Sequence, residues 1–111
     1  LLAPWASHGL MILALYLAYE LAYWLDHYLS HKIPFLWEFH KVHHSATVLT
    51  PLTNWRMHPV DAVVFLNIAA LIMGITHAVL NHALGIPRQE GLLAESSVIV
   101  FALFYLYVHL Q

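Results

Sequence analysis

The chain has 111 residues, enough for one domain, and is 61% hydrophobic but only 9% charged; a soluble domain carries roughly a quarter charged residues, so an ordinary water-soluble globule is excluded. Four Lys and Arg against six Asp and Glu leave no basic surface to hold a nucleic-acid backbone. With no cysteine, disulfides and thiolate metal sites are excluded too, and any metal must be held by nitrogen or oxygen.

The first apolar stretch, Leu10 to Leu25, is interrupted only by Glu20 and is predicted to be a membrane-spanning helix, because backbone groups in lipid must be satisfied within the segment. A polar, histidine-rich segment follows, from Asp26 to Pro59. Ile33-Pro34 and Thr50-Pro51 break it, and "FLWEFHKVHHSATV" between the breaks is predicted to form a helix along the membrane surface. Lys32, Lys41 and Arg56, three of the four fixed positive charges, place this segment on the cytoplasmic side by the positive-inside bias. Val60 to Leu80 is a second predicted span, about the twenty residues that a bilayer core requires. His82 to Gly91 reads as a turn, with Gly85, Pro87 and Gly91. Leu92 to Leu110 is the third predicted span. Trp5, Trp24, Tyr105 and Tyr107 suit an interfacial aromatic belt.

The fold expected is therefore all-α, an integral membrane bundle of about three transmembrane helices with a cytoplasmic histidine-rich helical segment. There is no initiating Met and no signal-peptide pattern. The 111 residues are expected to be one partial domain of a longer protein.

Ten residues are histidine, and five of them, His27, His31, His40, His43 and His44, fall within eighteen residues. His27 and His31 are four apart, which stacks two side chains on one helix face. His40 is three from His43 and four from His44, so it can share a face with either. Two such helices facing each other would converge five imidazoles, and neutral imidazole suits iron, zinc, copper and nickel. One structural zinc takes four ligands; the surplus points to two metals or to a site completed elsewhere in the chain. Other uses of histidine are weighed alongside: pH sensing by a cluster, and helix packing by isolated membrane residues such as His8 and His77. His77 and His82, five apart, fall across the membrane from the cluster by the parity of the spans.

The run from Glu20 to Asp61 resembles the core of the fatty acid hydroxylase/sterol desaturase superfamily. Glu20 stands for that family's usual Asp, followed by the aromatics Tyr23 and Trp24. His27 and His31 match its first histidine box, and His40, His43 and His44 match the second within "LWEFHKVHHS". Arg56, His58 and Pro59 match an Arg-x-His-Pro that follows, with Asp61 for a common Glu. The chain departs at Tyr28, where the family has Arg. It also lacks a third box, although Gln111 matches the first residue of a motif that precedes it.

The resemblance implies a di-iron, O2-dependent lipid oxidoreductase, a hydroxylase or desaturase of a fatty acyl, sterol or carotenoid-like lipid. Zinc is the expected substitute metal in purified material. His27, His31, His40, His43 and His44 would be metal ligands, with His109 a further candidate. Glu20, Asp26 and His58 would support the ligands from behind. Electrons would come from a cytochrome, ferredoxin or reductase, since no nicotinamide or flavin fingerprint is present. The location implied is a bacterial inner membrane or the endoplasmic reticulum. The alternatives are a histidine-rich metal-binding or metal-transport protein without redox chemistry, or an inactive truncated remnant.

Overall fold

The structure is a computed structural model and describes residues 3–48, 50, 53 and 56–85. Three helices make up nearly all of it, with no strand among the described residues: α1 (Pro4–Lys32), α2 (Pro34–His44) and α3 (Pro59–Leu84). The predicted third span and the turn before it lie outside the described residues, as does His109.

Each helix begins with proline as its first residue, where the missing N–H costs no intrahelical bond and the fixed φ suits the helix. Proline also explains the boundaries. Ile33 precedes Pro34 and is driven out of the helical region, to φ −98° and ψ 112°. That single extended residue separates α1 from α2. His58, before Pro59, is extended for the same reason and caps α3, its Nδ1 accepting from the Val60 N–H at 3.2 Å. α3 ends at Gly85, which takes the left-handed φ of 61° that other residues adopt at a cost.

α1 is longer than the predicted Leu10–Leu25 span. Its 29 residues reach about 43 Å at ~1.5 Å per residue, against a bilayer core of about 30 Å. Trp5 and Trp24 are both exposed, and their nineteen-residue spacing equals about 28 Å of helix, the distance between two interfacial belts. His27 and His31 then follow within two turns beyond Trp24, on the same continuous helix. α3, with 26 residues, covers the predicted second span and also reaches across the core. Both helices are long and apolar enough to cross a membrane.

α1 and α3 are the main packing pair and run antiparallel. Tyr19 and Tyr23 of α1 meet Phe65 of α3 edge-on at 5.6 and 6.0 Å between ring centres, while Asp61, earlier on α3, reaches His40 of α2, beyond the end of α1. Met11, Leu15, Ala18 and Ala22 form the buried stripe of α1, and Ala69 is buried on α3. Small residues at such a contact let two backbones approach closely, the usual solution where lipid removes any hydrophobic drive between helices. Leu13, Leu17 and Leu21 of α1 and Leu66, Leu71, Ile75 and Val79 of α3 are exposed, as befits surfaces bathed in acyl chains. α2 stops at His44, four residues short of the predicted surface helix. Ser45 closes it, its hydroxyl donating to the Val42 carbonyl at 2.7 Å.

Candidate metal centre

Four of the ten histidines converge at the junction of α1 and α2. The i, i+4 spacing puts His27 and His31 on one face of α1. The same spacing puts His40 and His44 on one face of α2, and the break at Ile33 turns the second pair back onto the first. One nitrogen from each of His27, His31, His40 and His44 lies within 4.8 Å of all the others. The Nε2 atoms form a chain: His27 to His31 at 3.1 Å, His31 to His44 at 3.0 Å and His44 to His40 at 3.2 Å.

The three Nε2–Nε2 contacts fit a metal's donor shell. Two nitrogens bound at about 2.1 Å lie about 3.0 Å apart at a right angle and about 3.4 Å apart in a tetrahedron. Protons satisfy the same atoms poorly. A neutral ring nitrogen is a donor or an acceptor, not both. His31 and His44 each meet two neighbours, so one N–H would have to serve two acceptors. A cation uses all four lone pairs at once, and the imidazole set suits iron, zinc, copper or nickel.

His40 is the buried member, 4% exposed. Its Nε2 faces the cluster and its Nδ1 faces Asp61 of α3, at 3.1 and 3.3 Å from the two carboxylate oxygens. Asp61 is itself buried and sits in the first turn of α3, where the helix dipole favours negative charge. Trp37 packs beside His31 and His44, with ring centres at 5.2 and 5.8 Å. His44, on α2, is held below the ordinary histidine pKa by partial burial and then by the neighbouring His40, His31 and His43 rings, with Asp61 opposing.

The remaining predicted residues take other places. His43 is not in the four-nitrogen group. At ~100° per residue it sits about 60° round α2 from His40, whereas His44 sits about 40° round on the other side. Its ring centre is 5.6 Å from His40 and 6.3 Å from His27, and its Nδ1 is buried with no hydrogen-bond partner among the described residues. Asp26 is buried, and its Oδ1 has no partner among the described residues either. Glu20 lies on an open groove of about 530 Å³ along α1, with Tyr23, Trp24, Tyr28 and, at one end, His27 and His31. His58 spends its Nδ1 on capping α3 and packs on Phe39 at 4.9 Å. His77 accepts from the Asn81 amide at 3.2 Å. It is sixteen residues, about 24 Å of helix, from Asp61. In the sequence Asp61 only matches a motif position, an acidic residue two positions after the His-Pro and at the start of a helix.

Residues 12–111 match the family model of the fatty acid hydroxylases. The chain belongs to the fatty acid hydroxylase family. No curated protein and no solved structure matches it. Among the described residues of this fatty acid hydroxylase family member, two membrane-length helices and a four-histidine cluster able to hold a metal occur together, which makes it a membrane protein of the lipid-hydroxylase type.

Proposed function

We propose that the chain is the metal-holding core of an O2-dependent lipid oxidoreductase with a di-iron centre, acting on an unactivated C–H bond of a fatty acyl, sterol or carotenoid-like chain. The observation that carries this reading is the convergence of four Nε2 atoms just past the end of a membrane-spanning stretch, beside an apolar groove. In the proposal His27, His31, His40 and His44 are ligands through Nε2. His43, one residue from His44, serves a second ion. Iron, when bound, would activate O2, the oxidant, which no side chain can do.

The residues of the chain do the rest. The four imidazoles, neutral at the binding nitrogen, fix where the metal sits. Tyr23, Trp24 and Tyr28 offer an acyl chain an apolar wall that leads to His27 and His31, so the lipid need not leave apolar surroundings to reach the site. Trp37 packs against the His31 and His44 rings and adds an aromatic face to that side of the site. Lys32, Lys41 and Arg56 mark the cytoplasmic face, where a cytochrome, ferredoxin or reductase delivers electrons. Hydroxylation consumes one O2, two electrons and two protons per C–H bond and releases one water with the alcohol. Desaturation takes the same inputs, removes two hydrogens from the lipid and releases two waters.

The test is to load the protein, in lipid nanodiscs, with ferrous iron under anaerobic conditions. Iron per chain is counted first. Air, a reductase system and lipid extracts are then added, and products are analysed by mass spectrometry. Two irons per chain with O2-dependent gain of one oxygen, or loss of two hydrogens, supports the reading. One tightly held, redox-silent zinc with no product after iron loading overturns it in favour of a metal-binding protein without redox chemistry.

A further inference from the structure

We infer that Asp61 is the positioning residue of the metal centre: its carboxylate takes the Nδ1–H of His40 and so holds the His40 Nε2 lone pair on the metal side. This deepens the metal-binding part of the proposed function and rests on it, though not on the lipid chemistry.

The argument starts from the two ring nitrogens of His40. Both are engaged and in opposite directions, Nδ1 with Asp61 at 3.1 and 3.3 Å and Nε2 with His44 at 3.2 Å. A carboxylate only accepts, so the proton of neutral His40 belongs on Nδ1, and Nε2 is left bare. In water a free imidazole exchanges between the two tautomers; here the choice is fixed by the partner. The His40 and Asp61 side chains are 5% and 3% exposed, so water competes little for either group. Asp61 also fixes the ring's rotation, because both of its oxygens lie within reach of one N–H. Such a carboxylate behind a ligand imidazole raises its basicity and orients it, and losing it costs metal affinity.

Asp61 differs in kind from the acidic residues that share α1 with the first histidine pair. Asp26 is equally buried but leaves Oδ1 without a hydrogen-bond partner among the described residues, and Glu20 lies along the groove. Asp61 alone among the described acids makes a hydrogen bond to one of the four converging histidines. It is also the link that draws α3 into a site otherwise built by α1 and α2. Twenty-one residues separate it from His40, so the contact ties the metal site to the transmembrane packing.

The experiment compares wild-type protein with Asp61→Asn, Asp61→Glu and, as an acidic control on α2 that is exposed and pairs with Lys41, Glu38→Gln. All are purified in nanodiscs. Zinc and cobalt affinity are measured by chelator competition, cobalt d–d absorption is recorded, and the His40 tautomer is read in the metal-free protein by ¹⁵N NMR. Asp61→Asn is nearly isosteric, and circular dichroism verifies that it is folded. The expected result is a loss of about 10- to 100-fold in affinity for Asp61→Asn. The His40 proton should shift toward Nε2 and the cobalt spectrum should change. Asp61→Glu restores part of both and Glu38→Gln changes neither. Folded Asp61→Asn that keeps wild-type affinity and the Nδ1–H tautomer overturns the proposal. Loss of helicity in Asp61→Asn with the metal affinity of Asp61→Glu at wild-type level supports it, since the longer carboxylate has then replaced the shorter. None of these readouts involves lipid turnover, so failure of the proposed activity would leave this result standing.

Discussion

Removing His31 should separate the chemistry of the cluster from the stability of the fold. His31 has the most connected nitrogen apart from His44, meeting His27 at 3.1 Å and His44 at 3.0 Å, yet its side chain is exposed. In His31→Ala, little packing is lost, and surface substitutions of that kind change stability by about 0.5 kcal/mol or less. Metal binding should behave otherwise. A four-ligand site at neutral pH is worth about 10–16 kcal/mol. An even share is then about 2.5–4 kcal/mol per ligand, which corresponds to roughly 10²- to 10³-fold in affinity. The assay is chelator competition for zinc on the nanodisc protein, with thermal unfolding of the metal-free form followed by circular dichroism. His8→Ala, at the other end of α1, serves as the comparison and should leave affinity within about twofold of wild type. The reasoning fails if His31→Ala binds zinc within about threefold of wild type, or if it unfolds the metal-free protein as much as it weakens binding.

His43→Ala should lower the number of metals per chain while leaving the tightest ion bound, because the His43 ring stands outside the four-nitrogen group; metal analysis after gel filtration checks this, and full loss of metal would place His43 in the primary shell. The depressed pKa of His44 gives a sign for pH. Below the ordinary histidine value of about 6.5 the unfolded chain takes a proton there that the folded chain refuses, so the metal-free protein should lose stability as the pH falls through that value; a denaturant titration at neutral and mildly acidic pH reads it, and greater stability at the acidic end would contradict it. Ala22→Leu inserts three carbons where nothing is exposed, between α1 and its neighbours. It should destabilise the helix pair by about 1–3 kcal/mol, measured by detergent-induced unfolding, and no change there would mean that α1 and α3 do not pack through this stripe.

Much of this architecture is legible in the sequence, and the parts that are not share a cause. The apolar runs and the prolines mark where α1, α2 and α3 exist and where they part. The four-residue spacing of His27 and His31 places both on one helix face, because helical periodicity is local. The length of α1 is not legible in the same way. Asp26 and His27 look like the end of a span, but leaving the bilayer core does not require leaving the helix. The choice of His44 over His43 is equally hidden, since both spacings fit one turn and only the direction in which α2 folds back decides between them. Asp61 is hardest to see. Seventeen residues separate it from His44, and no periodicity connects a surface helix to the next span; the contact exists because α3 returns alongside α1. The acids beside the boxes, Glu20 and Asp26, attract attention by sequence proximity, while the described acid that bonds to a histidine of the cluster, Asp61, belongs to the next membrane-length helix.

The short distance along the chain between the two histidine pairs has a consequence for biogenesis. All four converging nitrogens come from His27 to His44, and the Nε2 contact that joins the two pairs, His31 to His44, spans only thirteen residues. Closing so small a loop costs little entropy. The pocket can therefore assemble as soon as α2 has been synthesised, before α3 has entered the bilayer. If the pocket takes a metal as proposed, Asp61 joins His40 only when α3 packs against α1, so insertion of the second span completes the site.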